Sequence, residues 1–426
     1  MDDGMKVRRI GVLIFIILIL YSFLTTNVQK SPDVHSKTGA VEGTVTNIVS
    51  SKKCKQYYIG SYLASDMSGK DREISIGDDI RVFGEYNNLD NFYIKDFNFG
   101  RHLRSKGIEK SIKVKEVEIL GENKFFKYLG SFKNTLADTN DYLYKEKADV
   151  LNAITLGIKD NLDQDTKYIF LDSGTSHIMA ISGLHISIIL SMVIAMFGGI
   201  TNIKRLISMA ILLIIYSLLV GGGASVNRAI ELAVLSIIAF LIDERADAIN
   251  LICIIGSIMI IENSYIIYNI SFQLSFLAVL SILIFNKYIK NYVYSDILSV
   301  TVSSNILTFP IVAYSFKEVS LVGIVGNIVA IPFVGIIIFL DFLSIGMYFI
   351  SIRLAIIISY VNASILSSVL FLLKKIGNFG VSNLLFRHIS LYRVAMYYFI
   401  ITFLMVGLEI YMIEKNRYKI TNSNNK

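Results

Sequence analysis

The sequence predicts a polytopic α-helical membrane protein with about ten spans and a small extracytoplasmic β-barrel domain between the first and second spans. Three observations predict this fold class. The 426-residue chain is 54% hydrophobic, above the ~45–50% of soluble domains. Its apolar residues are concentrated in uncharged runs, and a helix needs ~20 such residues to cross a bilayer. Between the first run and the rest lies a charged stretch in which apolar and polar residues alternate.

The first apolar run, residues 10–24, predicts an uncleaved membrane anchor over residues 1–26. Lys6, Arg8 and Arg9 precede the run, and no small-x-small cleavage pattern follows it. A secretory signal peptide would carry such a pattern. Because positive charges are retained in the cytoplasm, we expect the N-terminus inside the cell and the next segment outside.

Residues 27–125 are predicted to form the extracytoplasmic domain. Period-2 alternation between turn residues is typical of strands, and it occurs in five short stretches: 40–48, 56–63, 79–84, 91–96 and 113–119. Five short strands favour a small closed or half-closed barrel, of which the OB-fold is one example. Residues 126–147 are expected to link this domain to the membrane part.

Residues 148–413 are predicted to form the membrane domain, and residues 414–426 a cytoplasmic tail. Positive charges in short loops mark the cytoplasmic side. The pairs Lys204-Arg205 and Lys287/Lys290 and the basic tail satisfy this rule with an even number of spans, which places both termini in the cytoplasm and the protein in the cell membrane. The run 319–348 is long for one span and contains Pro332, which permits a broken or re-entrant helix.

Polar residues, glycines and prolines interrupt these apolar runs. Polar groups are costly in hydrocarbon, so they usually face a bundle interior or a transport pathway. Asn305 and Asp341 are two of them. The candidate pathway residues are His177, Ser182, Gly183, His185, Asn227, Arg228, Gln273, Ser275, Pro310, Asn327 and Pro332.

Several of these positions allow more than one interpretation. Ser182 and His185 share a helix face, which fits a packing seam, a pathway lining or a hydrolytic Ser/His pair. Arg228 follows three glycines, 221–223, that permit irregular backbone at membrane depth. Its guanidinium suits a phosphate, but it could equally snorkel to the interface or pair with Glu231. The two prolines could kink helices for packing or line a cavity.

The sequence contains no phosphate loop ending in Gly-Lys-Ser/Thr and no His/Cys/Asp cluster with metal-ligand spacing. It therefore predicts no cofactor, no metal site and no motor, and a protein that is not an enzyme.

Residues 174–185 read Gly-Thr-Ser-His-Ile-Met-Ala-Ile-Ser-Gly-Leu-His. This phrase resembles the Gly-x-x-His-Leu-x-Ala-Ile-Ser-Gly-Leu-His signature of the ComEC family of competence proteins, the inner-membrane channels of natural transformation. Further segments resemble the family in the same order, and the resemblance covers residues 40–345. These segments are 97–108, 225–229, 271–276, 308–310 and 326–332.

The resemblance implies transport of single-stranded DNA across the cytoplasmic membrane, through a channel without its own motor. It favours the pathway interpretation of His185, Arg228 and Gln273. The implied partners are single-stranded DNA, membrane lipids, an extracytoplasmic DNA receptor and a cytosolic helicase. Many relatives carry a C-terminal metallo-β-lactamase-like domain, and no such domain follows here before Lys426. Degradation of the second strand, if it occurs here, then needs a separate protein.

In the soluble domain, the basic residues Arg101, Arg104, Lys106 and Lys110 are candidates for phosphate contacts. A solvated face or a lipid-headgroup surface is the alternative. Base stacking is expected on Tyr57, Tyr58, Tyr62 or Phe92. Two rival functions remain, transport of a small polar or anionic solute and membrane-bound hydrolysis by Ser182 and His185.

Overall fold

The computed structural model describes residues 3–28, 38–51, 54–69, 72–89, 92–94, 97–181, 183–197, 203–222, 226, 230–231, 234, 247–320, 322–378, 384–385, 389–405 and 407. The strands are β1 Thr38–Ser51, β2 Cys54–Ile59, β3 Tyr62–Asp66, β4 Asp78–Asn87, β5 Tyr93–Ile94, β6 Phe97–Asn98, β7 Lys110–Glu122, β8 Glu318–Val319 and β9 Leu384–Leu385. The first eight helices are α1 Asp3–Val28, α2 Phe99–Arg104, α3 Lys124–Tyr144, α4 Ala148–Leu151, α5 Gln164–Asp172, α6 Gly183–Phe197, α7 Ile203–Leu219 and α8 Ala248–Glu262. The others are α9 Ile270–Ile289, α10 Asp296–Phe316, α11 Gly323–Tyr348, α12 Ile352–Gly377 and α13 Leu391–Met405.

The N-terminal strands form a closed five-stranded barrel in the order β1-β2-β3-β7-β4, and β4 pairs back onto β1. β3 and β7 are parallel, whereas the other pairs are antiparallel. This arrangement is compatible with an OB-fold. The alternating residues of each strand face inward, and Val45, Ile80 and Ile112 are completely buried there. The barrel therefore has its own apolar core.

Two of the predicted strands are wrong in detail. The stretch 56–63 is two strands, β2 and β3, joined by a two-residue turn at Gly60. Gly60 has φ +55°, a left-handed conformation that tight hairpin turns need. The stretch 91–96 contributes β5, which pairs with β6 in a separate two-stranded sheet and not with the barrel. The fifth barrel strand thus comes from the hairpin at Gly60.

Residues 124–144, within and just before the expected linker, form the continuous helix α3. Asn123 caps its N-terminus by accepting hydrogen bonds from the backbone N–H groups of Phe125 and Phe126. Leu129 and Leu136 on one face are buried against apolar residues of α6 and α7. The barrel is therefore followed by a helix that packs directly on the membrane domain.

Four helices are long and apolar enough to cross a membrane, namely α9, α10, α11 and α12. Shorter apolar helices occur in α1, α6, α7, α8 and α13. Length and composition thus give a membrane protein with four candidate spans among the described residues. Part of the predicted run 230–242 lies outside those residues.

Neither proline in these spans ends its helix. Pro332 lies inside α11, which is continuous over 26 residues, so the broken or re-entrant helix expected there is wrong. Pro310 lies inside α10 and cannot donate to the carbonyl of Ile306, four residues earlier. The hydroxyl of Tyr397 in α13 donates to that carbonyl instead, at 2.9 Å. The lost backbone hydrogen bond is replaced, as membrane helices require.

The chain divides into two compact units. The first comprises Met1–Phe276 and Val322–Gly380, and it contains the barrel, α3, α6, α7, α11 and α12. The second comprises Leu277–Leu321 and Val381–Lys426. In the second unit, α13 is bound to α10 by the Tyr397 hydrogen bond and by a 2.8 Å bond from the Tyr398 hydroxyl to the Leu307 carbonyl.

Candidate functional site

Three segments of the membrane domain meet at Gly157. A π-helical turn, Asn152–Leu156, ends at this glycine, whose φ is +72°. A Cβ atom at Gly157 would lie 3.2 Å from Cδ1 of Ile181 and 3.3 Å from the carbonyl oxygen of Val220. Ile181 lies just before α6, and Val220 just after α7. π-helical turns are frequent at functional sites, and Ile181, one of the residues that meet here, belongs to the signature segment 174–185.

The barrel reaches the same place. A Cβ atom at Gly221, whose φ is +86°, would lie 3.0 Å from Nδ2 of Asn47 in β1. Nearby, the backbone N–H of Ser50 donates to Oδ2 of Asp160 at 3.2 Å. We call the place where the barrel meets these membrane segments the glycine junction. It consists of Asn47, Lys133, Gly157, Ile181 and Gly221. A gap of only about 10 Å³ remains between its barrel and membrane sides.

Lys133 of α3 brings a buried charge to the glycine junction. Its side chain lines the gap together with Asn47 and Gly221, and the residue is only 8% exposed. Burial lowers the pKa of Lys133 to about 8, although attraction to Asp160 opposes that shift. The ammonium group is therefore still mostly protonated at neutral pH, and little water hydrates it.

Two histidines of the signature segment lie beside this junction. His185 lies in the first turn of α6 and is 1% exposed. His177 and Lys159 both lie within electrostatic range of it. The ammonium groups of Lys133 and Lys159 can attract a phosphate group, and the glycine residues let backbone approach closely.

The structure brings together some of the predicted pathway residues. His177 lies in the short helix Ser176–Met179 that leads into the signature, and Gly183 and His185 begin α6. Asn327 and Pro332 lie on α11, which packs against α6 where Gly335 approaches Ile188. The predicted residues outside the described part of the chain are Ser182, Asn227 and Arg228.

Other predicted pathway residues lie elsewhere. Gln273 and Ser275 are in the first turns of α9, where Nε2 of Gln273 donates to the Ile267 carbonyl at 2.7 Å. That region adjoins the barrel through α2 and not through the glycine junction. Pro310 belongs to the second compact unit.

The barrel has a second attachment, formed by two of the predicted DNA-contact residues. Nη1 of Arg104 donates to the Tyr265 hydroxyl at 2.8 Å, and the guanidinium of Arg101 lies 4.8 Å from the ring centre of Tyr268. Nη2 of Arg101 also donates to Oδ1 of Asn27 at the end of α1. We call these five residues the arginine junction. Lys106 and Lys110 are exposed, so they are the members of the basic run that face solvent.

The stacking prediction is wrong for Tyr57, which is completely buried in the barrel core. Tyr58 and Tyr62 are partly buried against apolar clusters. Phe92 packs edge-on against Phe99 at a centroid distance of 5.2 Å. Much of the aromatic surface proposed for base stacking therefore packs against the barrel itself.

Removal of the arginine junction should loosen the barrel. We expect Arg104→Ala to lower the free energy of unfolding by about 1–2 kcal/mol, because it removes both the hydrogen bond to the Tyr265 hydroxyl and a cation–π contact, 5.1 Å from the guanidinium to the centre of the same ring. Thermal unfolding of the protein in detergent measures this, and limited proteolysis should cut the barrel sooner. The control is Lys106→Ala, an exposed residue two positions away. Equal unfolding temperatures for the two variants would contradict the prediction.

The predicted site residues do not include Asp341 and Asn140, which form a buried polar group. Asp341 of α11 is completely buried, and it lies beside Asn140 of α3. Asn140 belongs to the segment that was expected to be a linker. The spacing Asn140/Tyr144 and Asp341/Ser344, four and three residues apart, was a signal for two polar helix faces. Only the packing shows that these two faces meet.

Comparison with known proteins gives two matches. A model of the competence protein family matches residues 154–410, which is more than half of the chain. ComE operon protein 3 of Bacillus subtilis (strain 168) is 25% identical over 244 residues. That alignment covers 56% of this chain and 31% of the relative, so the chain spans about a third of the relative's length. No solved structure matches. The matched region contains α6, α7, α11 and the signature segment, and the chain therefore belongs to the competence protein family.

Proposed function

We propose that this protein transports single-stranded DNA across the cytoplasmic membrane during natural transformation, as a channel without a motor of its own. The observation that carries the proposal is the glycine junction. There the barrel contacts residues next to the family signature and the Gly-Gly-Gly segment, beside the buried ammonium of Lys133. Membership of the competence protein family and a barrel compatible with the OB-fold support it, since OB-folds commonly bind single strands.

In this proposal the barrel lies outside the cell and the protein crosses the membrane about ten times, with both termini inside. A DNA receptor delivers the strand, and a cytosolic helicase draws it inward. The exposed Lys106 and Lys110 contact phosphates on the barrel. Lys133 and the predicted residues Ser182, His185 and Arg228 then line the entrance to the membrane domain.

The glycine junction is closed in the structure. A gap of about 10 Å³ holds at most one water molecule, so a nucleotide passes only if the barrel and the Gly221 segment separate. The positive φ values of Gly221 and Gly222 suit such a segment, because glycine adopts these conformations and their alternatives at little cost. The junction therefore functions as the gate in this proposal.

Uptake of labelled DNA tests the function directly. We expect cells without this gene to lose internalised fluorescent single strands, and the wild-type gene to restore them. Ser182→Ala should also restore uptake, because the proposed role of Ser182 does not need a nucleophile. Unchanged uptake in the deletion strain would refute DNA transport. Loss of uptake with Ser182→Ala, in protein that still reaches the membrane, would favour the hydrolase alternative.

A further inference from the structure

The proposed DNA route does not use the buried polar cluster around Asp341. Asp341 lies in the C-terminal half of α11, one of the four candidate spans, and none of its surface is exposed. Three other parts of the fold face it: α3 with Asn140 and Tyr144, the π-helical turn with Thr155, and α7 with Tyr216. Asn362 of α12 joins the same cluster through Tyr144.

Hydrogen bonds join these side chains into one network. Nδ2 of Asn140 donates to Oδ2 of Asp341 at 3.5 Å, which is long. The hydroxyls of Tyr144 and Ser344 are 2.8 Å apart, and Ser344 donates to the backbone carbonyl of Asp341 at 2.8 Å. Nδ2 of Asn362 donates to the Tyr144 hydroxyl at 3.1 Å. The network thus connects α3, α11 and α12.

The network lacks positive charge. Among the described residues, no Lys, Arg or His forms an ion pair with Asp341. The titratable groups that face it are the phenols of Tyr144 and Tyr216, and Asp141 is connected through Asn152. None of these neutralises a carboxylate. An unpaired carboxylate in such a site costs several kcal/mol.

The network also lacks a donor. Three buried oxygens of this network have no hydrogen-bond partner among the described residues, namely Oδ1 of Asn140, Oδ1 of Asp341 and Oδ1 of Asn362. The hydroxyl of Thr155 has one proton, and it donates this proton to the Leu151 carbonyl at 2.8 Å. It therefore has no second proton to donate to Asp341. One added proton on the carboxyl group would remove the charge and supply a donor at the same time.

We propose that Asp341 is a proton-binding site, protonated in this arrangement, whose deprotonation loosens the contact between α3, α11 and α12. The charged form must gain water or a counter-ion, and the closed packing offers neither. Because α3 also carries Lys133, loosening this contact also affects the glycine junction. This inference does not depend on the nature of the transported molecule.

Dicyclohexylcarbodiimide tests the site, since it modifies protonated carboxyl groups in apolar surroundings. We expect the full-length protein in lipid nanodiscs to be labelled at Asp341, as mapped by mass spectrometry. Labelling should fall by about tenfold per pH unit once the group titrates. The exposed Asp172 serves as the control and should stay unlabelled. If sodium, replacing potassium at constant pH, blocks the reaction, Asp341 binds a metal cation and the proposal is wrong.

Thermal unfolding gives a second readout that needs no reagent access. If the folded protein favours the neutral acid, it binds the proton more tightly than the unfolded chain, so stability is lost as pH rises. Asp341→Asn keeps the shape without the charge. We expect it to unfold at a temperature similar to the wild type at acidic pH and at a higher temperature than the wild type at alkaline pH. A difference between the two proteins that does not change with pH would overturn the proposal.

Discussion

Gly326→Ala is expected to abolish DNA uptake and to destabilise the membrane domain, whereas Gly346→Ala on the same helix should leave both intact. A Cβ atom at Gly326 would lie 2.3 Å from the carbonyl oxygen of Ser173 and 2.8 Å from Cγ2 of Thr175. No real Cβ makes a contact with backbone that is so short. At Gly346, no atom lies within 4 Å of the added Cβ.

The obstructing backbone at Gly326 has little freedom to move. Ser173 and Thr175 are completely buried, and their hydroxyls are hydrogen-bonded to each other at 2.7 Å. A Cβ atom at Gly377, the last residue of α12, would lie 2.9 Å from Cβ of Asp172. The backbone of α12 is therefore already in close contact with the same turn. Overpacking of a tight core costs about 1–3 kcal/mol where neighbours can adjust. We expect at least the upper end of that range here.

Thermal unfolding in detergent and the amount of protein in the membrane measure the effect on folding, and fluorescent DNA measures uptake. Gly346→Ala should be as stable as the wild type or slightly more so, because alanine favours helix by about 0.5–1 kcal/mol over glycine. Wild-type stability of Gly326→Ala would show that the turn 173–175 does not pack against α11 as described. Loss of uptake at wild-type stability would instead assign this turn a direct part in transport.

The barrel shows what alternation can and cannot predict. Period-2 patterns located β1, β4 and β7 because each has one face in the apolar core. The hairpin at Gly60 was missed because alternation continues through both strands, although Gly-Ser between two apolar runs is itself a turn signal. The parallel pairing of β3 with β7 joins residues nearly fifty positions apart. No local pattern reports such a contact.

The membrane domain was predictable in kind but not in its polar contacts. Apolar runs identified spans, and the signature segment pointed to α6. The polar face of α3 was overlooked because Lys133 and Asn140 lie in a sequence with few long apolar runs. Whether such a residue is buried depends on the barrel and on α11, which pack against α3 from distant parts of the chain. The hydrogen bond that Pro310 cannot make is likewise replaced from far along the chain. Tyr397, which donates to the Ile306 carbonyl instead, is 91 residues away from Ile306.

Lys133→Met should stabilise the protein and impair transport. Burial lowers the pKa of Lys133 to about 8, below the ~10.4 of a lysine in an unfolded chain. The folded state therefore binds this proton less tightly, and the buried charge destabilises the fold by about 2–3 kcal/mol at neutral pH. Methionine has a similar shape without the charge. We expect its unfolding temperature to exceed that of the wild type near pH 7. The advantage should shrink as pH rises through about 8, where the wild-type lysine loses its proton.

Transport should change in the opposite direction, because the same ammonium is proposed to attract the strand. Binding of a labelled single strand to the protein in nanodiscs should weaken, and its dependence on log salt should fall by about 0.7, the value for one phosphate contact on a single strand. Lys124→Met removes an exposed charge from the same helix and is expected to leave stability unchanged. A stabilised Lys133→Met protein with normal DNA binding and uptake would show that the charge has no role in transport. A stabilised protein with weak DNA binding would instead explain why the chain has an unfavourable lysine between its barrel and its membrane helices. The positive charge that destabilises the folded protein would then be the charge that binds the phosphates.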